Sequence, residues 1–144
     1  MSDAAAILEA QQHAVREVAA SVTELQEGSW DDREWKRIAI DFEIDTEGGR
    51  RTSAQTSVIA RHPNQPLEDL DFRLSMRAKD ALAALREAMR DERGAWSTCR
   101  LQIDRDGKFE FDFSYEPPRR LGGDLLYSPL QGHLDRYKAE TGER

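Results

Sequence analysis

Two alternating stretches flanking a three-residue turn constrain this chain more than any other feature. In "WSTCRLQIDRDGKFEFDFSYEPP", residues 96–118, Cys99, Leu101 and Ile103 share one face of a first strand. Phe109, Phe111, Phe113 and Tyr115 share one face of a second. If Asp104 opposes Lys108, the loop is Arg105-Asp106-Gly107, with glycine where a left-handed residue is needed. That register sets Ile103 against Phe109, Leu101 against Phe111 and Cys99 against Phe113. Every apolar side chain then lies on one face, and a slip of one residue would turn them all to the other. The opposite face of the second strand carries Glu110, Asp112, Ser114 and Glu116.

A second hairpin lies upstream. "WKRIAIDFEI", residues 35–44, alternates with Ile38, Ile40, Phe42 and Ile44 on one face. Arg37, Ala39, Asp41, Glu43 and Asp45 occupy the other. Residues 51–61 form a weaker strand with Ala54, Thr56, Val58 and Ala60 on its apolar face. Pairing Ile44 with Thr52 matches the two apolar faces. Leu70, Phe72 and Leu74 alternate with Asp69, Asp71 and Arg73 as a short further strand.

Helical spacing appears three times. Ile7, Leu8, Val15, Val18, Val22 and Leu25 predict a long first helix over 3–26, with Asp3 at its start, Gly28 beyond it and Trp30 before the next strand. Ser75 is an N-cap for a middle helix over 76–92, striped by Ala78, Ala81, Leu82, Leu85 and Met89 and ended by Gly94. Leu130, Leu134 and Tyr137 predict a short last helix over 129–140. Segregated hairpins and helices imply an α+β fold. The expected architecture is one domain, residues 1–144, with an antiparallel sheet of four or five strands. Its apolar face is covered by all three helices, and its polar face is open.

Composition narrows function mainly by exclusion. The net charge is −7 over 144 residues. Phosphate repels such a chain, so nucleic acid is not an expected partner, and a basic partner is favoured. No apolar run is long enough to span a membrane, and Cys99 is the single cysteine, so a cytoplasmic protein without an internal disulfide is expected. His13, His62 and His133 have no companions at ligand spacing, so no metal and no cofactor is expected. Cys99 falls on core positions and reads as a small buried residue. No nucleophile, base and orienter set is apparent, so no catalytic residue is assigned.

The acidic excess concentrates in the first helix and on the non-core faces of two strands. Asp41, Glu43 and Asp45 lie on one strand and Glu110, Asp112 and Glu116 on or just beyond the other. Two readings fit these six: a solvated face that discourages edge pairing, or a binding surface for a basic partner. Carboxylates two apart on a strand are also about 7 Å apart, within glycosidase range, although any acidic strand shares that spacing.

The stretch carrying Trp96, Leu101, Ile103, Asp104, Gly107, Lys108, Phe109, Asp112 and Tyr115 resembles the YezG-like immunity proteins, antitoxins of bacterial polymorphic toxins. The upstream order is similar: a long helix, a strand led by Trp35, and a helix entry at Phe72–Ser75. The resemblance implies a non-enzymatic protein that binds and neutralises a toxin, often a nuclease, in the cytoplasm. An acidic face on Asp41, Glu43, Asp45, Glu110, Asp112 and Glu116 would then meet a basic toxin. The alternatives are a hydrolase using strand carboxylates and a structural homodimer whose acidic face only meets solvent.

Overall fold

The computed structural model describes residues 4–24 and 32–144. Asp3, Leu25, Gly28 and Trp30 lie outside them. The elements, in chain order, are α1 (Ala4–Glu24), β1 (Glu34–Asp45), β2 (Arg51–Arg61), β3 (Glu68–Leu70), α2 (Met76–Ala88), β4 (Thr98–Asp104), β5 (Phe109–Ser114) and α3 (His133–Thr141). The five strands form one antiparallel sheet in the order β3-β2-β1-β4-β5. The fold is α+β, as the sequence pattern implies.

Both predicted registers are present. Ile44 opposes Thr52 in the β1–β2 hairpin. Ile103, Leu101 and Cys99 oppose Phe109, Phe111 and Phe113 in the β4–β5 hairpin. The Gly107 backbone sits at φ +94°, and its N–H donates to the Asp104 carbonyl at 3.0 Å, so glycine closes the turn as expected. β1, the longest strand, lies at the centre of the sheet and joins the two hairpins.

One sheet face is apolar and carries the main core. Ala14, Val18 and Val22 of α1 and Ala78, Ala81, Leu82 and Leu85 of α2 pack with Ile38, Ile40, Phe42, Ile44, Val58, Cys99, Leu101 and Ile103. Leu8, expected on the buried stripe of α1, is instead 49% exposed. Ser75 caps α2 by accepting from the Ala78 N–H at 3.0 Å. The Ser75 N–H donates to Ser21 Oγ at 3.1 Å, which ties the two helices together. Trp96 is fully buried, and its carbonyl accepts from Arg86 Nε at 2.7 Å.

Three sequence expectations are corrected. The strand through Leu70, Phe72 and Leu74 stops at Leu70, because the Thr56 hydroxyl bonds both the N–H and the carbonyl of Phe72 and replaces the ladder there. The aromatic stripe of β5 implies a central place in the core for Phe111, but the β5 phenylalanines do not fill it. They line an edge strand and are only half-buried at its rim. The last helix starts at His133 rather than residue 129, and it does not cover the apolar face. Tyr137 of α3 packs with Ile59 and Leu67 in a separate small cluster. Ile59 pairs with Arg37 across the ladder, so this cluster is on the second sheet face.

No atom lies within 4 Å of a Cβ built at Gly107, so its φ is the main obstacle to a side chain there. Gly107→Val is expected to lower stability by about 1–3 kcal/mol. Urea denaturation checks this, and an unchanged midpoint would mean that the turn tolerates an ordinary residue.

Candidate functional site

The second sheet face divides into a covered half and an open half. On the covered half, the segment 117–132 crosses β1 and β2 and leads into α3. It has no strand or long helix of its own, so side-chain bonds must hold it. Asp41 and Glu43 provide them, and both are 0% exposed.

Arg120 is the centre of this network. Its Nη2 donates to Asp41 Oδ1 at 2.8 Å and to the Asp41 carbonyl at 2.9 Å. Its Nε donates to Ser53 Oγ at 2.9 Å. Its Nη1 is 3.5 Å from Glu43 Oε2. Glu43 also accepts from two backbone groups, the N–H of Arg120 at 3.1 Å and that of Leu121 at 2.9 Å. The second Asp41 oxygen accepts from Arg100 Nε at 2.8 Å, and Arg100 also donates to the Tyr127 hydroxyl. Gln55 reinforces the strap by donating to the Tyr127 carbonyl at 3.2 Å and accepting from the Leu130 N–H at 3.3 Å.

The six carboxylates singled out in the sequence therefore separate. Asp41 and Glu43 bond inside the protein and are not on its surface, because buried carboxylates require paired charge and hydrogen bonds. Asp45 is half-buried. It accepts from the Glu47 N–H at 3.0 Å and from Arg51 at 2.6 Å, and these bonds hold its carboxyl below the usual range. Glu110, Asp112 and Glu116 remain exposed and form no ion pair among the described residues. Glu110 and Asp112 line an open groove of ≈ 620 Å³ between the β4–β5 hairpin and the strap, together with Arg100, Gln102, Leu130 and Arg136.

A hydrolytic role for the Asp41 and Glu43 pair gains nothing from this geometry, since every oxygen of the two already accepts a hydrogen bond. One constellation was not legible in the sequence. Ser57 Oγ lies 2.6 Å from Asp69 Oδ1 and 2.7 Å from His133 Nδ1. The one hydroxyl proton goes to the carboxylate, so His133 carries its proton on Nδ1 and donates to Ser57. Serine stands in the middle of the chain, whereas an activated serine needs the imidazole between itself and the carboxylate. The trio, with Ser57 and His133 buried and Asp69 exposed, is a clasp that fastens α3 to β2 and β3. Arg37 fastens the same helix, donating to Asp104 at 2.7 Å and to Glu140 at 2.6 Å, with its guanidinium 5.0 Å from the Tyr137 ring centre.

The remaining candidate groups have packing or hydrogen-bond partners within the fold. Cys99 is buried in the core, and burial, followed by the Asp41 and Asp112 charges, pushes its thiol well up. Trp35 stacks with Arg105 at 5.0 Å. His62 bonds Asp32 at 2.7 Å. Among the described residues no group of three His, Cys, Asp or Glu could hold a metal ion. No helix there is long and apolar enough to cross a membrane. No protein-family model matches the sequence, and no curated protein matches it significantly.

Burial lowers the His133 pKa below 6.5; nearby Asp69 and Glu140 oppose that shift, and Arg136 and Arg37 add to it. Its Nε2 is buried without a hydrogen-bond partner. Above pH 6.5 the imidazole is neutral in both the folded and the unfolded chain. Below it the unfolded chain takes up a proton that the folded one resists, so stability falls as the pH drops. His133→Gln, which keeps a donor for Ser57, is expected to remove that part of the acid sensitivity. Melting temperatures of both proteins between pH 7.5 and about 5 check this, and parallel curves would mean that His133 is not the titrating group.

Proposed function

We propose that the protein is a non-enzymatic immunity protein of the YezG-like kind, which binds and blocks a basic toxin domain in the cytoplasm. The observation that carries this reading is the arrangement of Glu110, Asp112 and Glu116. They are exposed carboxylates, unpaired among the described residues, on or beside a strand held in register by the sheet. A nuclease toxin is basic where it holds phosphate, and a rigid row of carboxylates offers that surface a substitute anion. Such a row also steers encounter, because opposite charges attract over distances comparable to the Debye length.

The acids of β1 have a different part. By holding the strap down, Asp41 and Glu43 keep the β1–β2 half of this face closed and confine the available negative charge to the β4–β5 half. Of the hairpin residues that carry the family resemblance, Asp112 lies on the face proposed to make contact, whereas Leu101, Ile103 and Phe109 pack on the core face.

Two measurements test the reading. The reading requires a toxin-like gene beside this one: co-expression with its product should restore growth, and the two proteins should co-purify. In stopped-flow binding to that product, Glu110→Gln/Asp112→Asn/Glu116→Gln is expected to slow association about tenfold at low salt, with dissociation changed less and folding stability within about 0.5 kcal/mol per site. Wild-type rates and salt dependence in this variant would remove the β4–β5 face from the binding reaction.

A further inference from the structure

Among the described residues the outer edge of β5 is an unpaired strand edge, and its backbone groups belong to the same residues as its aromatic stripe. Asp104 N–H donates to the Lys108 carbonyl at 2.8 Å, which makes that pair the first hydrogen-bonded rung of the β4–β5 ladder. Rungs alternate in an antiparallel pair. The backbone groups of Glu110 and Asp112 therefore turn inward to β4, and those of Phe109, Phe111 and Phe113 turn outward. β5 is the terminal strand, and no described residue hydrogen-bonds to those outward groups. The opposite edge of the sheet, β3, is only three residues long.

The β5 edge has one safeguard, charge of a single sign on its polar face, which a basic strand would meet favourably. It has no proline within the strand, no bulge and no inward charge, and its side chains alternate phenylalanine with acid. The three rings form a continuous half-buried row, with centroids 5.7 Å apart for Phe109–Phe111 and 5.4 Å for Phe111–Phe113. A strand laid along the edge would extend the apolar face with one set of its side chains and meet Glu110 and Asp112 with the other.

We propose that β5 is a docking edge that takes an extended strand from a basic partner, with apolar and Lys or Arg side chains in alternation. Charge decides against a second copy of this chain. Antiparallel two-fold pairing of β5 with itself would bring the Glu110 and Asp112 rows of both copies together on one face, where like charges opposed across strands repel. Main-chain hydrogen bonds would supply affinity, and the alternating rows would supply register. This inference rests on the partner proposed above being basic, and it adds how that partner is held.

The test is amide hydrogen exchange by NMR on the whole chain, with a blocked heptapeptide of alternating arginine and valine as probe. In the free protein the Phe109, Phe111 and Phe113 amides should exchange quickly and those of Glu110 and Asp112 slowly. With peptide at about ten times its dissociation constant, the three outward amides should slow about tenfold. A peptide with glutamate in place of arginine should leave them fast. Phe111→Pro removes an outward donor without touching the β4 ladder and should abolish the protection, whereas Phe111→Val should retain it. If Phe111→Pro does not fold, Glu110→Lys/Asp112→Lys serves instead and should transfer the protection to the glutamate peptide.

Unchanged exchange at millimolar arginine peptide would overturn the proposal. Outward amides already protected in the free protein, and released on dilution, would identify a self-paired dimer and also overturn it. If the neighbouring toxin is still captured while the edge stays unprotected, the docking edge fails and the antitoxin role stands. If the edge is protected by the peptide but no toxin is neutralised, the docking edge stands and that role fails.

Discussion

The charge cluster of Arg120 with Asp41 and Glu43 is the interaction on which the second face of the sheet depends. Two carboxylates at 0% exposure on a central strand would be severely destabilising alone. They are tolerated because one guanidinium reaches Asp41 and Glu43 together, Arg100 takes the remaining Asp41 oxygen, and two backbone N–H groups fill Glu43. The converse also holds. The strap between β5 and α3 has no ladder of its own, and these carboxylates are the acceptors that fix its path. The charge cluster and the strap are one device seen from two sides.

Closing half of the face has consequences at both ends of the strap. Beyond it, α3 is delivered to β2 and β3, where Tyr137 meets Ile59 and Leu67 and His133 bonds Ser57. Before it, β5 is left as an edge with an acid row on one side and a phenylalanine row on the other. The main core, made by α1 and α2 on the apolar face, needs none of this. The chain thus combines an ordinary two-layer α+β unit with a polar strap that decides which carboxylates reach solvent.

The main architecture was readable because strict alternation and helical spacing report burial directly. The β4–β5 register followed from one glycine and six apolar residues, and that of β1–β2 from matching two faces. What escaped was the fate of the polar positions. Asp41 and Glu43 occupy the same alternating slots as Glu110 and Asp112, and periodicity cannot tell a carboxylate facing water from one facing an arginine about 80 residues away in sequence. The partner, Arg120, sits in "PPRRLGGD", which has no periodic pattern and only a slight excess of base. Ile59 was hidden for a related reason: it is the apolar exception on an otherwise polar strand face, and its companions Leu67 and Tyr137 are remote from it in sequence.

A double-mutant cycle on Asp41 and Arg120 tests the central claim most directly, using denaturant unfolding of the wild type, Asp41→Asn, Arg120→Met and the double variant. Each single change strands a buried charge and should cost about 3–5 kcal/mol. The double variant should cost less than the sum of the two by at least about 2 kcal/mol, as expected for groups in direct contact. Single losses below about 1 kcal/mol that simply add would contradict the account, because the strap would then be held by something other than this pair.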